Sequence, residues 1–427
     1  MKKKLLLCIS IAIIAVFIVL TAIYFFMPTQ SYSDELSRTI FGFGRNFSQY
    51  GMLAEQDGVM VLYDFHSSNE VVFCPKPECT HDNNNCFAYA IYNMYKAINV
   101  SLYNDELYFT TMDYDFNTDY GGWSVSFYRA AIDGATVRKI ETFEGYRICY
   151  SIEFIDGYAF LNLEKYDETQ DHIISLNERF ITKNYVQINL SDGNIWFMPE
   201  KQGYYLTLSY IGFSLTHRKF YYIATYHTIP TYPADNDFKD KYSSSYRSSL
   251  IEIDIDKHTE AYFLDRYTEM LLSDENGEGH IQFTVTEDIL YVLSKKFEYA
   301  SDVTKPSTIS SYNIEAKELL KTDIINSGFC SFLGWGRHEV IITYRAPVTF
   351  LLESMYVFNP LVGETTQIGV NIKNTVFMCQ GDRILLMRSD TDTGYGAGIT
   401  VGYYWMYTDD YLNDDISKLF AFNSLNR

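Results

Sequence analysis

Gln56-Asp57-Gly58 followed by Val59-Met60-Val61-Leu62, and again Asn104-Asp105 followed by Glu106-Leu107-Tyr108-Phe109, is the phrase whose reading decides the fold. It is a polar turn and then a strand in which large apolar residues alternate with others. The phrase returns at Asp156-Gly157, His217-Arg218, Glu287-Asp288, Arg337-His338 and Gly381-Asp382, before runs such as Phe220-Tyr221-Tyr222-Ile223 and Ile289-Leu290-Tyr291-Val292. One amphipathic hairpin cannot bury its apolar face alone. Repetition about every 45–70 residues therefore implies sheets packing on sheets.

Composition agrees. The chain has 427 residues, with Tyr 38 and Phe 30 against Pro 9. Aromatic and β-branched residues suit a pleated, half-buried surface. Asp133-Gly134 and Ser191-Asp192-Gly193, set between alternating apolar segments, are further hairpin signals. Each unit reads as two hairpins, or about four strands. The spacing of Phe87, Ala88, Ala90, Ile91, Met94 and Tyr95 predicts a short helix within 85–97.

Four-stranded units repeated about an axis make a β-propeller, so the expected fold is all-β, a β-propeller of about seven four-stranded blades. A linear stack or a two-sheet sandwich is the competing architecture. The last unit stops after about its third strand, and a lone strand near Phe41 (residues 39–44) is expected to complete it and close the ring. The long polar insertions 113–122, 166–178, 230–247, 298–307 and 390–398 lie between second and third strands. They would share one face, where binding residues concentrate.

Met1-Lys2-Lys3-Lys4 precedes an uncharged apolar run from Leu5 to Met27. That run is about long enough to span a bilayer, which takes roughly 20 residues. The basic start places the N-terminus in the cytoplasm and everything after Met27 outside. The expected organisation is a membrane anchor over 1–27, a linker over 28–38 and an extracytoplasmic propeller over 39–427. Cleavage at Ser31-Tyr32-Ser33, as in a signal peptide, is the alternative. Cys8 does not read as a lipid-attachment site, because only seven residues precede it and Leu7 stands where a small residue belongs. The formal net charge of −20 argues against nucleic acid as a partner.

Cys74-Pro75-Lys76-Pro77-Glu78-Cys79-Thr80-His81 continues to Cys86, so three cysteines and a histidine share one loop. Three thiolates and an imidazole suit tetrahedral zinc, and four protein ligands leave no open position, so such a site would be structural. Outside the cell cysteines also pair. Cys74 with Cys79, or Cys79 with Cys86, would close a small loop and leave one thiol over, and zinc, disulfide and free thiols all stand open. Cys149, Cys330 and Cys379 fall within apolar strands and read as core.

Phe73-Cys74, Lys76-Pro77, Cys79, His81, Cys86 and Ala88-Tyr89 together resemble a motif of membrane-anchored or lipoprotein β-propellers of low-GC Gram-positive bacteria, a family loosely similar to TolB-type propellers. The resemblance implies the anchor, the extracytoplasmic location and the fold. It implies no reaction, since the family carries no agreed activity.

Other signals are weaker. Asp113, Asp115, Asn117 and Asp119 alternate as calcium ligands do, but Thr118 replaces the turn glycine and Ser124 the closing glutamate, which leaves a solvated acidic loop. Asp409, Asp410, Asp414 and Asp415 read as a solvated patch. No nucleophile elbow, phosphate-cradling glycine loop or zinc-protease spacing is present. No catalytic residue is assigned. The expected role is a module binding a cell-surface protein or glycan. The alternatives are a carbohydrate-active hydrolase or lyase with carboxylates at the propeller channel, and a structural scaffold of a membrane complex.

Overall fold

Asp57 and Gly58 both have positive φ, 53° and 75°, as do Asn104 and Asp105 at 48° and 59°, and Asp156 and Gly157 at 46° and 80°. Two left-handed residues in succession make the type I′ turn, whose twist matches that of the strands it joins. Asn, Asp and Gly tolerate this conformation best. These three polar turns are therefore two-residue hairpin loops, whereas His217-Arg218 falls in a four-residue loop between Ser214 and Lys219.

The computed structural model describes residues 38–39, 46–48 and 50–422, apart from 77, 116–121, 167–179, 229–245, 264–277, 287, 297–306, 326–328, 336–338, 346–351, 360–363, 369–373, 381–382, 390–399, 408–409, 412 and 414. Asp34–Arg427 forms one unit, and Met1–Ser33 a separate one that lies outside the described residues. The expected apolar run from Leu5 to Met27 and linker 28–37 lie outside them too. Among the described residues no helix is long and apolar enough to cross a membrane.

The described chain is mostly strand. After β1 (Arg38–Thr39) come β2 (Asn46–Ser48), β3 (Gly51–Gln56), β4 (Val59–Asp64) and β5 (Asn69–Val72), which form one sheet in that order. Helix α1 (Phe87–Asn93) follows. A second sheet holds β6 (Ala97–Tyr103), β7 (Glu106–Asp115), β8 (Gly122–Ala131) and β9 (Val137–Glu144). Next are β10 (Arg147–Ile155), β11 (Tyr158–Tyr166), β12 (Phe180–Asn189) and β13 (Ile195–Phe197), then β14 (Lys201–Ser214), β15 (Lys219–His227), β16 (Tyr246–Asp254) and β17 (Thr259–Tyr262). These eight join as one sheet, because β12 pairs with β14 over Phe180–Lys183 and with β13 over Val186–Ile188. Two further sheets hold β18 (Glu278–Thr286) to β21 (Leu319–Ile325), through β19 (Ile289–Lys296) and β20 (Ser307–Asn313), and β22 (Phe329–Trp335) to β25 (Glu364–Ile368), through β23 (Glu339–Arg345) and β24 (Leu352–Asn359). The last runs β1, β26 (Asn374–Gln380), β27 (Arg383–Ser389), β28 (Thr400–Tyr407) and β29 (Phe420–Ala421).

Among the described residues the apolar cores lie between successive units, so the units β6–β9, β10–β13 and β14–β17 are each buried on both faces. Phe160 packs with Tyr185, Leu206, Phe220 and Tyr222, while its neighbour Leu161 packs with Phe127, Val125 and Val186 on the other side. Tyr221 turns away from Phe220 and Tyr222 to meet Phe283, Val285 and Leu290. Opposite faces for consecutive residues are what a strand dictates. Two buried faces explain why Phe220-Tyr221-Tyr222-Ile223 contains no polar residue.

The first strands of the units adjoin one another: β3 meets β6, β6 meets β10, β14 meets β18 and β18 meets β22, while β2, beside β3, meets both β6 and β26. Sheets stacked face to face with their first strands together have the arrangement of a β-propeller. At the meeting of first and last sheets, Phe65 packs on Trp405 at 5.5 Å and on Phe422 at 6.0 Å, and the Trp405 indole donates to Ser68 Oγ at 3.2 Å.

Two expectations are corrected. The N-terminal strand joins the last sheet, as expected, but not as its fourth strand, which β29 provides. Described at Arg38–Thr39, with 40–45 outside the described residues, it pairs instead with Met378 and Cys379 on the far edge of β26. Strand β7 also runs on through Asp113 to Asp115, with Tyr114 opposite Trp123, so the connection shrinks to 116–121.

Phe220 is fully buried, stacked on Phe160 at 4.6 Å and edge-on to Tyr185 at 5.0 Å. Phe220→Ala should cost about 3–5 kcal/mol. Urea unfolding of wild type and variant checks this; a loss within experimental error would contradict two-faced packing at this junction.

Candidate metal centre

The Asp57–Gly58 turn joins β3 to β4, as Asn104–Asp105 joins β6 to β7. Strand β3 is thus the counterpart of β6, and β5 is the third strand of its unit. No strand follows it among the described residues before β6. The stretch between β5 and β6 is the cysteine-rich loop and α1, while β2, beside β3, brings the first sheet to four strands.

The loop leaves the sheet by a defined route. The Phe73 N–H donates to the Met60 carbonyl at 2.9 Å, and the Cys74 N–H to Val72 at 2.8 Å. The Cys79 N–H closes a turn on the Lys76 carbonyl at 3.2 Å. His81 has a φ of 59°, the left-handed region that a β-substituted residue enters at a cost. The Asn83 carbonyl accepts from the Cys86 N–H at 3.0 Å, and the Asn83 side chain accepts from the Asn85 N–H at 3.0 Å. Cys86 then caps α1, its carbonyl accepting from Tyr89 and Ala90.

A seven-residue helix is not stable alone. It is held by burying Phe87, Ala88, Ala90 and Ile91 in the core between the first two sheets. At its end, the Asn93 amide donates to the Gly58 carbonyl at 2.7 Å, tying the helix to the first type I′ turn. Gly134 presses on the Phe87 ring from the second sheet; a Cβ there would lie 2.3 Å from a ring carbon.

Cys74, Cys79, His81 and Cys86 converge. Their ligand atoms all lie within 4.8 Å of one another, and His81 Nδ1 is 3.4 Å from Cys86 Sγ. Ligand atoms around a tetrahedral zinc are roughly 3.5–3.8 Å apart, given Zn–S of about 2.3 Å. The three cysteines are free thiols. Cys86 is buried, and the other three residues are half-buried. The donor set of three sulfurs and one imidazole therefore fits a soft or borderline divalent metal.

The thiols differ in acidity. The His81 main-chain N–H directed at Cys79 holds that thiol below its ordinary value, with help from the other two sulfurs and Lys76. Burial pushes the Cys86 thiol up to about 11. Sequence reasoning missed Lys76, whose ammonium donates to the Asn85 carbonyl at 3.0 Å and ties the two halves of the loop together. Nothing in its position between two prolines signals that contact.

The other singled-out residues do not join this cluster. Asp113 is exposed on β7 beside Ser124. Lys418 bridges Asp410 at 2.6 Å and Asp415 at 3.5 Å, while Asp409 and Asp414 lie outside the described residues. Trp123 packs on Tyr114, Trp196 on His258 and Trp405 on Phe420. Cys149, Cys330 and Cys379 lie in β10, β22 and β26. Sequence reasoning also missed a buried charged row across three strands. Glu164, 3% exposed, meets Lys183 at 2.9 Å and also Arg147. Charges almost never sit so deep unless paired, and sequence does not reveal the pairing.

No family model matches the chain, and no curated protein matches it. Solved structures with a similar arrangement include the β-propeller domain of the trilobed protease from Pyrococcus furiosus, with 12% identity over 65% of this chain and 70% of that one, TM-score 0.39. Oligogalacturonate lyase from Vibrio parahaemolyticus has 9% identity over 88% and 92%, TM-score 0.46. Pyrococcus horikoshii acylaminoacyl peptidase has 13% identity over 64% of this chain, TM-score 0.39; the chain spans 40% of that peptidase's length.

In chelator-treated, reduced protein, iodoacetamide should modify Cys79 first and Cys86 last. Cys86 should gain reactivity only as pH approaches 11, because the thiolate is the nucleophile and burial delays its formation. Peptide mass spectrometry across a pH series reads the order, and early labelling of Cys86 would contradict it.

Proposed function

We propose that the chain is an extracytoplasmic β-propeller of seven blades that binds a cell-surface protein or glycan, stapled by zinc at its first blade. One observation carries the binding reading. The segments 116–121, 167–179, 228–245, 297–306, 346–351 and 390–399 each join the second strand of a unit to its third. In antiparallel units whose first strands adjoin, these connections all leave from the same end. A rigid scaffold carrying long loops at one end is a common binding design. The uncharged run Leu5–Met27 after three lysines supports a single-pass anchor with a cytoplasmic N-terminus.

The zinc reading rests on the convergence of Cys74, Cys79, His81 and Cys86. Bound zinc would neutralise the thiolates and cross-link a loop that has little core of its own. Four protein ligands leave no position for substrate, so the role is structural. The site lies on the stretch between the first two sheets, so a cross-link there fixes the entry to α1.

Metal analysis tests the staple. Wild type purified under reducing conditions should carry one zinc per chain, and Cys79→Ser should carry none. Absence of zinc from wild type supplied with zinc would overturn it. The binding reading is tested with the full chain on a glycan array and on purified cell-wall fragments, beside a variant with 229–245 replaced by a Gly-Ser linker. Retention should fall about tenfold or more, ~1.4 kcal/mol, with unchanged thermal stability. Equal retention by both proteins, or none by either, counts against it.

A further inference from the structure

The four ligands differ in access. Cys74 and Cys79 are half-buried, whereas Cys86 is 0% exposed, at the start of α1. The turn from Lys76 to Cys79 curls the first interval back on itself. A sulfur can hold zinc or join a disulfide, and the sulfurs here already lie within 4.8 Å of one another. A disulfide brings two sulfurs to about 2.05 Å. Metal and disulfide are thus two states open to one cluster.

Resting on the zinc reading, we propose that the cluster is a redox-gated staple, in which a small-molecule disulfide bridges Cys74 to Cys79 and releases the metal. With Cys79 attacking first, its thiolate breaks the S–S bond of the oxidant R–S–S–R, forming a mixed disulfide and expelling one RS⁻. The Cys74 thiolate then attacks the Cys79 sulfur and expels the second RS⁻. Two electrons pass from the two cysteine thiolates to the oxidant. The Zn–S bonds to Cys74 and Cys79 break. His81 and Cys86 are too few ligands to retain zinc, which leaves as Zn²⁺. Three protons from solvent convert two RS⁻ and the Cys86 thiolate to thiols.

Access decides the pairing. An external disulfide reaches the two half-buried sulfurs and not the buried one at the start of α1, and Cys86 would have to leave that packed position to resolve the mixed disulfide, so Cys86 emerges as a free thiol. Loss of the metal leaves α1 held by its packing and by Asn93 alone, with its entry at Cys86 released. The switch therefore acts at the contact between the first two units.

The test uses the full chain, reduced and loaded with zinc, then treated with oxidised glutathione. A chromogenic chelator follows metal release, peptide mass spectrometry maps the disulfide, and hydrogen exchange reports on 79–93. The expected result is one zinc released per chain, a Cys74–Cys79 bridge, a free Cys86 and lost protection in 86–93. Dithiothreitol with zinc should restore the starting state. Reduced glutathione in place of the oxidised form should release no metal. A reduced chain that binds no zinc overturns the zinc reading itself. A chain that binds zinc and keeps it under oxidised glutathione overturns the redox proposal alone. Release with a Cys79–Cys86 bridge overturns the pairing argued from access.

Discussion

Burial of a unit on both of its faces is the constraint on which the rest of this structure depends. A strand that alternates apolar and polar residues can float one face in water. A run such as Phe220-Tyr221-Tyr222 cannot, because Phe220 and Tyr222 meet one neighbouring sheet while Tyr221 meets the other. Such a unit needs a sheet on each side. Stacking continues until the last sheet finds the first, which is where Phe65 meets Trp405 and Phe422. Aromatic rings dominate these junctions because each buries a large area and favours offset-stacked or edge-on contact.

The polar turns take a second part in this design. Beyond reversing the chain, they tie each of the first four units to the next. Tyr50 donates to Asp105, the Gly157 N–H donates to Tyr103 Oη at 2.8 Å, Arg218 pairs with Asp156, and His217 approaches Asp288 at 3.4 Å. Each contact is partly exposed and contributes little by itself. Their value lies in alignment, since a slipped unit would lose its turn contact together with its core. The first unit departs from the pattern. After β5 the chain forms the Cys/His loop and a short helix packed in the core between the first two sheets, before it enters β6.

Much of this was legible in the residues. The turn phrases marked real hairpins, the helix within 85–97 is α1 over Phe87–Asn93, and the long insertions do join second to third strands. The four ligands were legible because they are close in sequence, so spacing alone brings them within reach. Lys76, Asn93 and the Arg147–Glu164–Lys183 row were not legible. Their partners are set by chain packing, and a lysine in a strand looks the same whether solvated or buried.

The sequence by itself determined the local structure: which residues turn, which extend, and which side chains must leave water. Those are properties of the backbone conformation and hydrophobicity of neighbouring residues. Only the tertiary structure decided which edge Arg38–Thr39 joins, that β12 serves two neighbouring strands, and that the Asn93 amide ties α1 to the Gly58 carbonyl. Main-chain hydrogen bonds are nearly alike for every residue, so an exposed strand edge carries no address in the side chains. The address comes from where packing has already placed the rest of the sheet.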